Sequence, residues 1–92
     1  MKFLVNVRIT DREAARPYLP AHLKYLNHHF ENGDFLLFGA YVQGEGGMLI
    51  AQSESIDSLN LLLQADPLKK GNCATWETFE FRVARATSSL TD

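Results

Sequence analysis

Phe35-Leu36-Leu37-Phe38-Gly39-Ala40-Tyr41-Val42-Gln43-Gly44-Glu45-Gly46-Gly47-Met48-Leu49-Ile50-Ala51-Gln52 is the stretch whose reading decides the fold. Its first part is almost continuously apolar over a strand's length, the pattern of a strand covered on both faces, and so reads as a central strand. Gly44, Gly46 and Gly47 supply a hairpin loop, and Met48 to Gln52 is the returning strand. The glycines resemble a fragment of a phosphate loop, but they join two strands and open no helix, so no helix dipole is available to hold a phosphate.

Helical periodicity flanks this hairpin on both sides. Upstream, Leu19, Leu23, Leu26 and Phe30 recur at three and four residues and predict a buried stripe that stops at Asn32-Gly33. Pro17 and Pro20 suit the entry and first turn of that helix. Downstream, Ser55 can cap a helix whose stripe is Ile56, Leu59, Leu62 and Leu63, with Pro67 as the stop. The ends are strands. Phe3, Val5, Val7 and Ile9 alternate with Leu4, Asn6 and Arg8, the period of a strand with one apolar face, and Trp76, Phe79, Phe81 and Val83 interleave with Glu77, Glu80 and Arg82, with one slip that predicts a bulge. The order is βαββαβ: an α+β, ferredoxin-like arrangement with a four-stranded antiparallel sheet and two helices on one face. Two helices cover only one face, so the doubly apolar second strand and Trp76 call for a second copy packed sheet to sheet, a homodimer.

The 92 residues suffice for one domain, 1–92, with Thr87 to Asp92 as a loose tail. A hydrophobic share of 46% is too high for a disordered chain. The net charge of −2, with acidic and basic residues intermixed, gives no footprint for nucleic acid or anionic lipid. No stretch approaches the length of a membrane span, and Asn6 and Arg8 interrupt the N-terminal apolar run before it becomes a signal sequence. A lone Cys73 forms no internal disulfide, so the expected location is cytoplasmic and the thiol reads as a small core or loop residue.

Among chemically capable side chains, His28, His29, Glu31 and Asp34 lack metal-site spacing and read as a solvated helix end. His22 and Asp66 stand out. His22 is close to the start of its helix, on the flank of the apolar stripe, which places its ring at the edge of the core. Asp66 follows Leu59, Leu62 and Leu63 at helical spacing, where a carboxylate would meet the negative end of the helix dipole, a costly place that invites a functional reason. The plainer reading is that Asp66 ends the helix before Pro67 and binds nearby backbone amides. Both helices lie on one sheet face, so the two side chains are able to meet. Arg8 and Arg16 are the candidate ligand-binding cations, for an anionic group.

Pro20-Ala21-His22-Leu23-Lys24-Tyr25-Leu26, then Gly33, Gly39 and Ala65-Asp66-Pro67-Leu68 followed by Gly71, resembles the YciI-like, or YCII-related, family over most of the chain. The resemblance implies a dimeric α+β barrel with a ferredoxin-like protomer, and a site whose histidine and aspartate correspond to His22 and Asp66. One group of that family is similar to dehydrochlorinases acting on chlorinated hydroxyhydroquinones. The expected activity is proton transfer or elimination on a small, aromatic-type molecule by a cofactor-independent lyase or hydrolase. His22 is then the catalytic base or acid, and Asp66 orients it. No metal or cofactor is implied. The alternatives are a non-catalytic module for ligand binding or dimerisation, and a structural accessory subunit. Two departures from the family pattern stand out: Leu19 replaces a frequent arginine three residues before the histidine, and Ala40 follows Gly39 where proline is common.

Overall fold

The computed structural model describes residues 1–87. Strand β1 (Lys2–Ile9) leads through a short helix α1 (Arg12–Ala15) and a 3-10 turn (Arg16–Tyr18) into α2 (Leu19–Glu31). Strands β2 (Phe35–Ala40) and β3 (Gly46–Gln52) form the hairpin. Helix α3 (Ile56–Gln64), a second 3-10 turn (Pro67–Gly71) and β4 (Ala74–Phe81) complete the order. The sheet is antiparallel with strand order β2-β3-β1-β4, the ferredoxin-like arrangement the periodicities predict. Of the expected tail, only Thr87 falls within the described residues.

Local signals place the helix ends. Asp11 caps α1 by accepting from the Ala14 backbone N–H, and Ser55 caps α3 by accepting from Ser58. Pro20 occupies the first turn of α2, and Gly33, at φ +85°, follows its end. The helices cover the face carrying Phe3, Val5 and Val7 of β1, which join Phe35, Leu49, Leu59, Leu63 and Leu68 in one core.

Three sequence expectations change. First, β2 is an edge strand. Its double apolarity reports what lies above and below it: Phe35 is in the core, while Leu37 shares the opposite face with Ile50. Strand β1 is central, paired with β3 and β4, and it alternates because one face of the sheet is left open by the helices. Second, β4 pairs with β1 in unbroken register from Lys2↔Phe81 to Ile9↔Ala74, and the irregularity is in β2, between Phe35 and Leu37. The slip in the β4 pattern comes from large residues on both faces. Trp76 lies opposite Val7, on the helix side beneath the Lys69 ammonium, so it does not belong to the face expected to meet a second copy; Phe79, opposite Leu4, does. Third, the buried residues of α2 are Tyr25 and Leu26, whereas Leu19, Leu23 and Phe30 are exposed. The apolar stripe borders the core without filling it. Ile56, expected in the α3 stripe, is also exposed.

Gly46 (φ +105°) and Gly33 (φ +85°) share a backbone disfavoured for other residues, but a Cβ on Gly46 would strike the Val7 carbonyl while Gly33 faces open space. Gly33→Ala should therefore cost about 1–2 kcal/mol and Gly46→Ala about 2–4 kcal/mol in urea unfolding. Equal costs would show that the close approach of β3 to β1 does not constrain that position.

Candidate functional site

The fold brings His22 and Asp66 together. The His22 Nδ1 lies 2.8 Å from Asp66 Oδ1, with side-chain exposures of 16% and 2%. A carboxylate only accepts, so Nδ1 donates and Nε2 is left as the basic nitrogen of the ring. The setting of Asp66 differs from the expected helix end. Helix α3 stops at Gln64, and Asp66 has extended backbone (ψ 126°) as the cap of the Pro67–Gly71 turn. The same Oδ1 accepts the Leu68 backbone N–H at 3.0 Å. The carboxylate therefore meets donors, a favourable place where the sequence implied a costly one. Asp66 binds a nearby backbone amide, as the plainer reading expects, though past the end of α3 and not at it, and the same oxygen contacts the His22 ring.

The His22 ring borders a cleft of about 360 Å³ between α2, the floor of the sheet and the loop end of the β2–β3 hairpin. Val7, Phe38 and Leu49 contribute to its floor, and Leu19, Leu23 and Leu26 form the α2 wall. Among the described residues that line it, His22 alone bears a polar side chain. The exposure of Leu19 and Leu23 thus has a place in the structure, since both face this cleft and not the core.

The candidate cations do not join the site. Arg8 is exposed on the opposite face of the sheet, level with Gly46 and Thr75, and Arg16 is exposed and paired with Glu13 at 3.0 Å. Cys73 is fully buried, 3.7 Å from the Leu68 carbonyl, and burial pushes its thiol pKa up, so it lacks the thiolate character of a nucleophile. Among the described residues no group of three His, Cys, Asp or Glu side chains is placed to hold a metal.

Two features escaped the sequence reading. His29 is no solvated helix end: its Nδ1 lies 2.8 Å from Asp34 Oδ2, and its ring packs edge-on against Tyr25 with centroids 4.8 Å apart. Tyr25, between the two histidines along α2, donates its hydroxyl to the Leu62 carbonyl at 2.9 Å. His22, Tyr25 and His29 follow i, i+3, i+7 spacing, so they share one helix face. That spacing was available in the sequence, but Leu19, Leu23 and Phe30 offered a more apolar stripe beside it.

The YCII-related domain model matches residues 1–82. The chain belongs to the YCII-related family. No curated protein matches it at a significant level. Among solved structures, this YCII-related protein is similar to 5-chloro-2-hydroxyhydroquinone dehydrochlorinase from Burkholderia phenoliruptrix AC1100, in complex with 2,5-dihydroxybenzoquinone. That likeness has 19% identity and a TM-score of 0.75, over 89% of this chain and 94% of that one. Muconolactone isomerase is a second likeness, at 15% identity and a TM-score of 0.74, over 100% of this chain and 97% of that one. At these identities the likeness establishes a shared fold.

Burial, followed by the charges of Asp66 and Asp34, raises the Tyr25 pKa far above the usual phenol range. The unfolded phenol ionises near its ordinary value of about 10, so above that pH the unfolded state holds fewer protons than the folded one. The Tyr25 contribution to stability is complete below about pH 10 and is lost as the pH rises further. Unfolding free energy measured across this range should fall less steeply in Tyr25→Phe than in the native protein, and equal slopes would place the alkaline sensitivity elsewhere.

Proposed function

We propose that this YCII-related protein is a cofactor-independent enzyme that moves a proton on a small cyclic molecule held in the α2 cleft, with elimination as the favoured reaction class. The observation that carries the reading is the 2.8 Å His22–Asp66 bond at the edge of an otherwise apolar cleft. His22 Nε2 takes a proton from a C–H or O–H of the bound molecule. Asp66, already bonded to Nδ1, holds the ring in place and stabilises the imidazolium that forms. In an elimination, the electron pair released by proton removal forms the new double bond as the leaving group departs. Desolvation by the apolar walls strengthens the attraction between Asp66 and the charged ring. The dehydrochlorinase of the same fold acts on a chlorinated hydroxyhydroquinone, as its name states, which makes halogenated and hydroxylated rings the first compounds to assay.

The reading is tested by screening such compounds for thermal stabilisation, then following product or halide release from those that stabilise. His22→Ala should lose turnover by about a hundredfold or more while keeping its circular dichroism, because the ring is at the edge of the core. Asp66→Asn can still accept the Leu68 N–H, so it should stay folded and lose turnover by a smaller factor. Turnover retained in His22→Ala would overturn the dyad. Stabilising compounds that are bound and never converted would leave a binding module.

The protein is further proposed to act as a homodimer built on the uncovered sheet face. Leu4, Leu37, Ile50, Phe79 and Phe81 share that face, and Phe79 is 53% exposed. A polar row crosses it, in which Tyr41 donates to Asn6 at 2.6 Å and Asn6 donates to Glu77 at 3.2 Å. An apolar sheet face of this kind is normally covered in a stable protein. Sedimentation at micromolar concentration should give twice the 10.4 kDa chain mass, and Phe79→Glu should shift the protein to monomer. A native protein that sediments as a monomer would sink this assembly.

A further inference from the structure

From the charge distribution around the cleft, we propose that it selects an uncharged, single-ring molecule carrying a hydroxyl, that it rejects the carboxylate analogue, and that Leu19 is the residue that sets this choice. The inference rests on reading the α2 cleft as the ligand site, and it concerns which molecules enter, whatever chemistry follows.

None of the described lysines or arginines lines the cleft. Arg8 and Lys24, which adjoin lining residues in sequence, are exposed and do not line it, and three further cations are engaged elsewhere. Arg12 pairs with Glu45, Arg16 pairs with Glu13, and Lys69 lies 3.8 Å from the Trp76 ring centroid. Behind His22 stands Asp66, 3% exposed, so the fixed charge closest to the polar end of the cleft is negative. A carboxylate or phosphate entering the cleft would give up water, find no cation, and face that charge. A hydroxyl brings no charge to meet that field, and the bond it donates to His22 Nε2 replaces the water it gives up.

Size narrows the class further. A cleft of about 360 Å³ is at the low end of ligand pockets, which span roughly 300–1,000 Å³, and suits one ring with small substituents. Leu19 is the wall residue placed to alter the charge rule. It lines the cleft three residues before His22 on the same helix, and at 37% exposure it borders the opening. A long cationic side chain at that position could bend over the mouth while its stem kept the apolar contact.

The test uses a matched pair, 4-methylphenol and 4-hydroxybenzoate, which share ring and hydroxyl and differ by a methyl against a carboxylate. Binding to the intact protein is measured by titration calorimetry, and the His22 ring resonances are followed by NMR at mildly alkaline pH. The phenol is expected to bind and shift the His22 resonances, with the carboxylate weaker by about tenfold or more. Leu19→Arg should improve 4-hydroxybenzoate binding by about tenfold and narrow or reverse the preference. The proposal is overturned if the carboxylate binds native protein as well as the phenol does, if neither binds, or if the phenol binds without moving the His22 signals. Because the readout is binding, loss of the proton-transfer reading through an active His22→Ala variant would leave charge selection standing. Conversely, a carboxylate preference would refute charge selection and leave the dyad intact.

Discussion

The structure depends on one buried oxygen. Asp66 Oδ1 accepts both the Leu68 backbone N–H and the His22 ring, so a single atom fixes the turn after α3 and fastens α2 to it. The position is costly for a carboxylate unless both donors are present, since an unpaired buried charge is far more expensive than an exposed one. Local backbone shape supplies the first donor. Extended φ and ψ at Asp66, followed by Pro67, bring the Leu68 N–H back toward the side chain. The second donor arrives only when α2 packs over the sheet, so the His22–Asp66 contact reports correct tertiary assembly as well as site geometry.

That coupling explains why α2 buries a mixed face. His22, Tyr25, Leu26 and His29 are the residues turned inward or partly so, and one polar atom in each of three of them has a partner: His22 Nδ1 with Asp66, the Tyr25 hydroxyl with the Leu62 carbonyl, and His29 Nδ1 with Asp34. Hydrogen bonds to these groups compensate the desolvation that an aliphatic stripe would have avoided. The helix gives up part of its apolar burial, and the displaced leucines line a cleft. A wholly apolar inner face would pack α2 more tightly and remove the space beside His22.

Much of the fold was legible in the sequence because its signals are local and periodic. Ser55 as a cap, Gly33 as a stop and the glycines of the hairpin act within a few residues, and the order βαββαβ follows from them. What the sequence obscured was lateral. Continuous apolarity in Phe35 to Phe38 records cover above and below, and cannot distinguish a central strand from an edge strand that borders a core on one face and an open surface on the other. Trp76 and Phe79 are three residues apart, so in a strand they face opposite ways, and it is Phe79, not Trp76, that lies on the open face. For the site, His22 and Asp66 were found from their odd polarity at core-facing positions and from family resemblance. Arg8 and Arg16 were chosen for charge alone, and charge carries no information about which face a residue occupies.

The His29–Asp34 pair sharpens the argument for His22. Both pairs share the same atom types and the same 2.8 Å separation, so a histidine–carboxylate bond cannot by itself mark a site. Their surroundings differ. Asp34 is next to the end of α2, its backbone N–H returns to the His29 carbonyl at 2.9 Å, and the imidazole is enclosed by Tyr25 and Phe35. That pair closes a turn between helix and strand and does not line the cleft. His22 has its carboxylate on one side of the ring and an apolar space on the other. A general base needs both an oriented ring and room for the group that gives up the proton, and of the two histidine–aspartate pairs the one at His22 meets both conditions.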